Sequence, residues 1–507
     1  MISLNSIIFN GMDATRIDVQ VQLATGLSNP EFNIIGLADR AVKESAERIR
    51  NVISALNLKM PPKRLTVNLS PADVEKNGSH FDLPILCGIL CAIGVLPEEK
   101  LSHYLILGEI GLDGAIVRTD GVLPAAVWAR RNNMGIICPA PQGAEAALSG
   151  HTEILAPAHV LELINHFSGA APLTQPTVSE IKQTQAKPAG DFAEVYGQES
   201  AKRALEIAAA GGHAMLMVGP PGSGKTMLAS RLPTILPEMT ADEILETSVI
   251  YSIAGQLGDK ALITNRPFRA IHHTASPVSL AGGGGNAKPG EISLAHNGVL
   301  FLDELPEFDR ATLEILRQPM ESGKITISRA KRNATYPARF QLIAAMNPCP
   351  CGNLGNAALS CSRAPRCAEA YQNKISGPLL DRIDLHVDVD AVNPWDMKPK
   401  SDTPIETSAQ IRARVVAARN RQIARQGKVN ALLDGAELNT AAPLTDELTE
   451  FLNTAAEKMS MSARGYNRIK RIARTIADLR GAENIELSDL AEALSYRPIG
   501  RGKYGVK

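Results

Sequence analysis

The sequence predicts a multidomain α/β chain with a parallel sheet at its centre and a helical C-terminal part. Short apolar strands at 214–218, 298–302, 340–346 and 383–389 alternate with helical patterns, which is how parallel sheets are built. A glycine-rich turn follows the first of these strands and opens a helix. After Pro394 the apolar runs give way to polar helical segments, ETSAQIRARVVAARNRQIARQ and TDELTEFLNTAAEKM among them. At about 150 residues per domain, 507 residues suggest three or four domains.

Composition removes several function classes. With 44% hydrophobic residues the chain can bury sizeable cores. Lys plus Arg, 53, equals Asp plus Glu, 53, so any nucleic-acid contact must come from local basic loops. Aromatics make up 4%, which argues against base-stacking platforms. The longest apolar run, Ile85 to Leu96, is too short for about 30 Å of hydrocarbon, so no membrane partner is expected. The opening residues, MISLNSIIFNGMDATR, lack the basic start, apolar stretch and cleavage site of a secretory signal. Seven cysteines, an odd number, make no disulfide framework, and the expected compartment is the cytoplasm.

Residues 1–167 read as a first α/β domain. Ile17, Val19, Val21 and Leu23 alternate with polar residues in one strand, and Leu65, Val67 and Leu69 do so in another. FDLPILCGILCAIGVLP reads as a buried helix ending at Pro97. The stretch 168–190, rich in Pro, Thr, Gln and Ala and without an apolar period, reads as a linker. Residues 191–393 form the parallel-sheet core, entered through the helix QESAKRALEIAAA, and 394–507 a helical domain.

Gly219-Pro220-Pro221-Gly222-Ser223-Gly224-Lys225-Thr226 is a complete G-x-x-x-x-G-K-T between an apolar strand and the helix TMLASRL. The glycines let backbone N–H groups turn inward onto phosphate oxygens, and the helix N-terminus adds its positive end. Lys225 is expected to reach the β- and γ-phosphates and Thr226 to ligate Mg²⁺. A chance match in a glycine-rich turn is the bland alternative. Downstream, Gly298-Val-Leu-Phe-Leu-Asp303-Glu304 sets two carboxylates at the tip of a buried strand. Asp303 would hold Mg²⁺ through water, and Glu304 would orient and deprotonate the attacking water. Capping of the helix LPEFDRATLEIL is the other use of the pair. Asn347, ending the next strand, is placed to hold the same water. ATP and Mg²⁺ are the expected cofactors.

With Tyr196-Gly-Gln198 before these motifs and Leu379-Leu-Asp-Arg382 after them, the chain resembles AAA+ ATPases. The run RPFRAIHHTASPVSLAGGGGNAKPGEISLAHNGVLFLDELPEF resembles their magnesium-chelatase-like branch. With the N-terminal region included, nearly the whole chain is similar to the bacterial ComM/YifB family, associated with natural competence. The resemblance implies an AAA+ P-loop core, with Tyr196 and Gln198 beside the nucleotide, and a helical lid of the magnesium-chelatase C-terminal type. It implies that Arg382 is an arginine finger reaching the neighbouring subunit's γ-phosphate. Arg464, in Ser-Ala-Arg464-Gly-Tyr, matches the lid's sensor arginine. For both, a surface salt bridge is the alternative. A finger supplied in trans implies a homo-oligomeric ring, expected as a hexamer, because no subunit completes its own site.

Two insertions bear on what such a ring acts on. Ser276 to Glu291 is a glycine-rich loop in which Lys288 interrupts the helix before the Asp-Glu strand. Lys324 to Phe340 reads as a hairpin: Ile325 and Ile327 alternate, and Arg329-Ala-Lys331-Arg332 makes a basic tip. In the magnesium-chelatase-like group such loops project into the ring's pore. Flexible glycines and a basic tip suit a phosphate backbone read without sequence preference, a solvated charged turn being the alternative. Cys349, Cys351, Cys361 and Cys367, spaced C-x-C-x9-C-x5-C, read as a closed structural Zn²⁺ site. The C-x-C pair is tighter than the usual C-x-x-C, so free thiols or a redox pair stay open. Arg363 and Arg366 lie inside this knuckle and could add a nucleic-acid contact. Cys87, Cys91 and Cys138 sit in apolar runs and read as core.

The N-terminal domain resembles the Lon-protease α/β fold, shared with the second domain of a ribosomal protein and also seen on RadA. Proteolysis in that fold uses a Ser nucleophile and a Lys base. In Asn77-Gly-Ser79-His80-Phe-Asp82 the nucleophile's slot falls on His80, with Ser79 adjacent, and the lysine's place near Asp120 to Ala126 reads DGVLPAA. No Lys occurs between Lys100 and Lys182, and a Ser without its base is inert, so a non-proteolytic scaffold is expected.

Three functions follow. The first is an ATP-driven ring acting on single-stranded and branched DNA, by branch migration or helicase-like translocation, in homologous recombination of incoming DNA alongside recombination proteins. The second is a chelatase-type motor remodelling a metal-inserting protein partner, and the third an ATP-dependent protease. The missing lysine disfavours the protease. The chelatase reading lacks an integrin-like D-x-S-x-S motif here, and that family's motors are expected to carry no Lon-like front domain. The basic hairpin, the cysteine knuckle and the whole-chain resemblance favour the first.

Overall fold

A computed structural model of the chain describes residues 1–24, 32–61, 63–151, 153–176, 190–258, 262–284, 287–329, 332–352, 354, 366–391 and 406–497, the side chains of Arg40, Arg329 and Arg332 excepted. The N-terminal part is a mixed seven-stranded sheet. Strands β1 (Ile2–Asn10), β2 (Asp13–Ala24), β3 (Phe32–Ile35), β4 (Arg64–Ser70), β5 (Tyr104–Ile106), β6 (Gly135–Ile137) and β7 (Ile154–Leu155) stand in the order β3-β4-β2-β1-β5-β6-β7. β1, β2 and β4 pair antiparallel and the remaining neighbours parallel. The alternation in β2 and β4 does what its period dictates: Ile17, Val19, Val21, Leu65, Val67 and Leu69 are all buried on one face.

Helix α1 (Arg40–Ala55) and the almost fully buried α2 (Asp82–Ala92) cover that face. The latter stops at Ala92, well before Pro97. Gly94 takes a positive φ of 80°, and its N–H turns back to the Cys91 carbonyl while that of Val95 reaches Leu90, closing the helix end. Cys87, Cys91 and Cys138 are buried and free, and burial pushes all three thiols up. The linker expectation falls mainly on 177–189, outside the described residues.

The core is a five-stranded parallel sheet. Its strands are β8 (Met215–Val218), β9 (Phe268–Ile271), β12 (Val299–Leu302), β15 (Gln341–Met346) and β16 (Leu385–Asp388), in the order β9-β12-β15-β8-β16. Outside this sheet, β10 (Gly282–Gly283) pairs with β11 (Lys288–Pro289), and β13 (Lys324–Arg329) with β14 (Arg332–Pro337). All neighbours in the sheet run parallel, so the residues after β8, β9, β12 and β15 emerge at one edge. That edge carries the motifs.

Helices α3 (Val122–Arg131), α4 (Glu199–Gly211), α5 (Lys225–Ile235) and α6 (Ala241–Ile253) pack around the two sheets. The C-terminal helices are α7 (Ser408–Gln426), α8 (Asp446–Lys458), α9 (Ala463–Arg480) and α10 (Leu487–Ser495). Thr407 and Gln410 start α7 with a capping box. This helical part shares one apolar cluster with the core, joining Ala208, Leu228 and Leu232 to Ile411, Val415, Ile472 and Ile476. A buried polar chain pins the joint: His213 Nδ1 lies 2.9 Å from Asp384 Oδ2, and its Nε2 2.8 Å from Thr475 Oγ1.

The N-terminal part meets the core along α3 and α6, where Leu123 packs with Val249 and Ile253. The Gly121 N–H donates to the Ser252 carbonyl at 3.2 Å, and the Ser252 hydroxyl to Glu145 Oε1 at 2.7 Å. Gly11, in the turn between β1 and β2, lies so close to the hairpin backbone that a Cβ there would meet the Thr335 carbonyl oxygen at 2.7 Å.

Candidate nucleotide site

The glycine-rich loop joins β8 to α5 and has no room for a side chain at its first residue. A Cβ on Gly219 would meet the Val389 carbonyl oxygen at 2.0 Å, while Gly222 and Gly224 take positive φ of 75° and 87°. Lys225, nearly buried, turns back over the loop and donates to the carbonyls of Gly219 and Pro220 at 2.8 Å each. It also reaches Ser223 Oγ and Asn347 Oδ1, both at 3.3 Å. Burial lowers its pKa, with Asp303 and Glu304 pulling the other way. Asn347 therefore sits at the lysine's tip, as its place after β15 requires.

Thr226 Oγ1 donates to Asp303 Oδ2 at 2.7 Å. A hydroxyl and a carboxylate converging at that distance are the hard oxygen donors that Mg²⁺ takes, so these two residues fit the ion. Asp303 Oδ1 accepts the Glu304 N–H at 2.9 Å, whereas Asp309 caps the short helix Arg310–Glu314. The capping alternative for the Asp303–Glu304 pair is thus taken by another residue. Gln198, at a positive φ of 59°, donates to the carbonyls of Ser223 at 3.2 Å and Asp390 at 2.6 Å, tying the entry of α4 to the loop. Tyr196 is an exposed aromatic beside it.

A contact the sequence reading did not single out lies on Glu304. His273 Nδ1 is 3.2 Å from Glu304 Oε2. The register explains the meeting: Ile271 of β9 pairs with Leu302 of β12, so the residues that follow on both strands leave the sheet side by side. The detectable signal was the imidazole pair just beyond an apolar strand.

Arg382 and Arg464 occupy different settings. Arg382 is paired within its own chain to Glu321 and to the Pro378 carbonyl. Arg464 lies exposed in the first turn of α9, with no ion pair among the described residues. Neither bonds to the loop residues 219–226 among the described contacts.

The two insertions differ from the sequence expectation in one respect. Lys288 lies in β11 rather than in an open loop, and its ammonium pairs with Asp120 of the N-terminal part at 2.7 Å. Gly282, at φ 101°, lets β10 lie flat against β11, where a Cβ would strike the Lys288 carbonyl oxygen at 2.4 Å. The hairpin is formed as expected: β13 and β14 pair antiparallel with Arg329 opposite Arg332. Ile325, Ile327, Ala334 and Tyr336 bury its base. Lys331 and the side chains of Arg329 and Arg332 lie outside the described residues.

Cys349 Sγ and Cys351 Sγ are 3.2 Å apart, and Gly352 packs on Pro221 of the nucleotide loop. Cys367 lies in the first turn of the helix Arg366–Gln372, which Arg366 opens, while Cys361 and Arg363 lie outside the described residues. No group of three or more metal-binding side chains occurs among the described residues.

In the N-terminal part a cavity of about 220 Å³ is lined by Ser79, His80, Glu109, Asp120 and, from the core, Lys288. The Ser79 hydroxyl donates to Glu109, and His80 Nε2 meets the Ile7 carbonyl at 3.0 Å. Lys288 reaches this cavity from another part of the chain, with its ammonium paired to Asp120.

Three family models cover most of the chain: "Magnesium chelatase, subunit ChlI" at 191–397, "Subunit ChlI of Mg-chelatase" at 19–142, and "Magnesium chelatase, subunit ChlI C-terminal" at 405–497. The chain is 43% identical over 496 residues to the competence protein ComM of Haemophilus influenzae, spanning 97% of this chain and 96% of that one. The chain belongs to the ComM/YifB family of magnesium-chelatase-like AAA+ proteins. YifB of Escherichia coli is 41% identical over 491 residues, again 97% of this chain and 96% of that protein. The chloroplastic magnesium-chelatase subunit ChlI of Oryza sativa is more distant, 23% identical over 350 residues. Membership of this family supports an ATPase using ATP and Mg²⁺. No helix among the described residues is long and apolar enough to cross a membrane.

Proposed function

We propose that this chain is an ATP-hydrolysing ring motor that acts on DNA, branched and single-stranded, during homologous recombination of incoming DNA in the cytoplasm. Full-length similarity to a protein named for competence, joined to a phosphate loop whose Thr226 meets Asp303, carries the reading. In it Gly219 to Thr226 hold the phosphates, Thr226 and Asp303 hold Mg²⁺, Glu304 takes the proton of the attacking water, and Asn347 orients that water. Mg²⁺ supplies charge neutralisation between the phosphates. Arg382 completes the neighbour's site in a hexameric ring after leaving Glu321, and Arg464 closes the lid on the phosphate. Arg329, Lys331 and Arg332 meet the DNA backbone in the pore, and Lys288 joins them when it leaves Asp120. The N-terminal Lon-like domain is a non-proteolytic scaffold, and the four cysteines bind a structural Zn²⁺.

The test is the ATPase rate with no DNA, single-stranded DNA, duplex and a four-way junction, with Lys225→Ala as the blank. Stimulation several-fold by junction or single-stranded DNA is expected. A rate indifferent to every DNA would favour the second reading, a chelatase-type motor remodelling a protein, which three chelatase-named family models along the chain support.

A further inference from the structure

We propose that the N-terminal part holds Lys288 in an autoinhibitory latch: Asp120 occupies the ammonium until a phosphate backbone displaces it. This rests on the reading of Lys288 as a DNA contact. The pair closes at 2.7 Å between two half-exposed side chains, 46% and 51%, one from each part of the chain. Asp120 is seated for that pairing. Gly255, just past α6, takes a positive φ of 71°, and a Cβ there would meet Asp120 Oδ1 at 2.6 Å. The core thus leaves room for one carboxylate oxygen, while Oδ2 accepts from Lys288. Two residues away, Arg118 donates to the Gly258 carbonyl. The cavity around the pair is lined by Glu109 and by His80, whose imidazole burial keeps neutral by pulling its pKa down to about 4. Arg118 is the one other cation among the described residues that line it, so the socket suits an ammonium.

The latch restrains more than one side chain. The Tyr336 hydroxyl donates to the carbonyl of Ala287, the residue before Lys288, at 3.0 Å, and Tyr336 is buried in the base of the β13–β14 hairpin. A Cβ on Gly282 would meet Ile327 Cδ1 of the same hairpin at 2.7 Å. The β10–β11 pair and the hairpin are therefore packed as one unit. The N-terminal part touches that unit twice, through Asp120 at Lys288 and through Gly11 at Thr335. A phosphate drawn to the Lys288 ammonium would come up against the Asp120 carboxylate, so the two anions repel and exclude one another. An ion pair this exposed shifts an equilibrium by a factor of about five at most, so a polyanion met by several subunits of a ring can open it.

The experiment uses the full chain with ATP and Mg²⁺, and three variants: Asp120→Asn, Lys288→Gln and the two combined. Both side chains are half exposed, so neither change threatens the fold. Anisotropy with a fluorescent DNA single strand should show Asp120→Asn binding at least about twofold tighter than wild type, and Lys288→Gln binding more weakly. In the Lys288→Gln background, Asp120→Asn should change affinity by less than about twofold, because its effect runs through the ammonium. A smaller gain in the wild-type background, or an equal gain in both backgrounds, would overturn the latch. The second of these marks plain removal of a negative charge. Hydrogen exchange without DNA gives a separate reading. Either single variant should speed exchange of the β10 and β11 backbone amides more than about threefold, and smaller changes would overturn the latch. A chain that binds no DNA at any salt, or a Lys288→Gln variant that binds like wild type, would instead sink the reading of Lys288 as a DNA contact. Exchange alone would then judge the restraint.

Discussion

Thr226 Oγ1 and Asp303 Oδ2 lie 2.7 Å apart, joining the start of α5 to the end of β12 across the edge of the parallel sheet. Phosphate clamping and water activation thereby fall on neighbouring but separate residues. Lys225→Ala should abolish tight ATP binding, because it removes the one ammonium in the loop and leaves the carbonyls of Gly219 and Pro220 facing the phosphates. Glu304→Gln should bind ATP and retain it, with turnover down at least a hundredfold. Equilibrium binding of a fluorescent ATP analogue beside steady-state hydrolysis separates the two. Normal hydrolysis by Glu304→Gln would end the catalytic assignment.

Arg382 pairs with Glu321 of its own chain and is only 13% exposed, so it must exchange partners to serve a neighbour. Arg382→Ala is expected to bind nucleotide but not hydrolyse it. Mixing it with Lys225→Ala subunits should restore part of the activity, because the two lesions then meet at different interfaces of one ring. Mixed rings that form yet show no rescue would rule out a finger in trans.

Cys349 and Cys351 are brought to 3.2 Å, and the Gly352 beside them presses on Pro221. One Zn²⁺ per chain is expected in protein purified without chelator, and elemental analysis reads it directly. Cys349→Ser should lose the metal and raise KM for ATP a few-fold through Pro221. It should leave the melting of the core nearly unchanged, because the ligands span a single insertion. Metal-free protein with intact thiols would remove the site.

Local sequence made the sheet edge legible and long-range pairing did not. The glycine loop, the apolar strands and the two carboxylates each announce themselves within a few residues, since strand period and turn chemistry are local. The His273–Glu304 contact was hidden because it depends on which strand lies beside β12. Lys288 was misjudged for the same reason: its partner, Asp120, belongs to the other sheet's domain. Likewise His213, Asp384 and Thr475 come from three distant segments, and only the docking of α9 makes them one chain of hydrogen bonds. The end of α2 was missed for a local reason, since Gly94 outranks Pro97 as the stop.

Acid should loosen the core at His386. Burial, helped by the Arg468 guanidinium, pulls this imidazole down to about 3, against a usual 6.5. Above pH 6.5 both folded and unfolded forms are neutral there and nothing is lost. Below it the unfolded chain takes a proton that the folded one refuses, so stability falls as pH drops. By pH 5 the loss is about 2 kcal/mol. Asp384 and Glu246, held low in the fold, lose stability in the same direction but at lower pH. Urea unfolding at pH 7 and pH 5 should show a smaller difference for His386→Gln than for wild type. Equal differences would place the acid sensitivity elsewhere.

DNA contact is expected at the hairpin tip, and the hairpin's own packing makes the test clean. Ile325, Ile327, Ala334 and Tyr336 anchor its base in the core, so the tip can lose charge without losing the hairpin. With a net charge of zero, the chain offers no general attraction to a polyanion, and affinity must come from a few basic residues repeated around a ring. ATP-dependent assembly should therefore raise DNA affinity steeply. Arg329→Gln, Lys331→Gln and Arg332→Gln together should weaken binding alike for unrelated sequences. They should also flatten the dependence of affinity on salt, because phosphate contacts release counterions and base contacts do not. Hydrolysis without DNA should survive, since the described contacts of Lys225 and Thr226 run to the loop itself, Asn347 and Asp303 and not to the hairpin. Fluorescence anisotropy across a salt series measures both quantities. If affinity and slope stay unchanged, the contact moves to Lys288, whose ion pair with Asp120 is half exposed and worth at most about 1 kcal/mol, an easy bond to exchange for a phosphate.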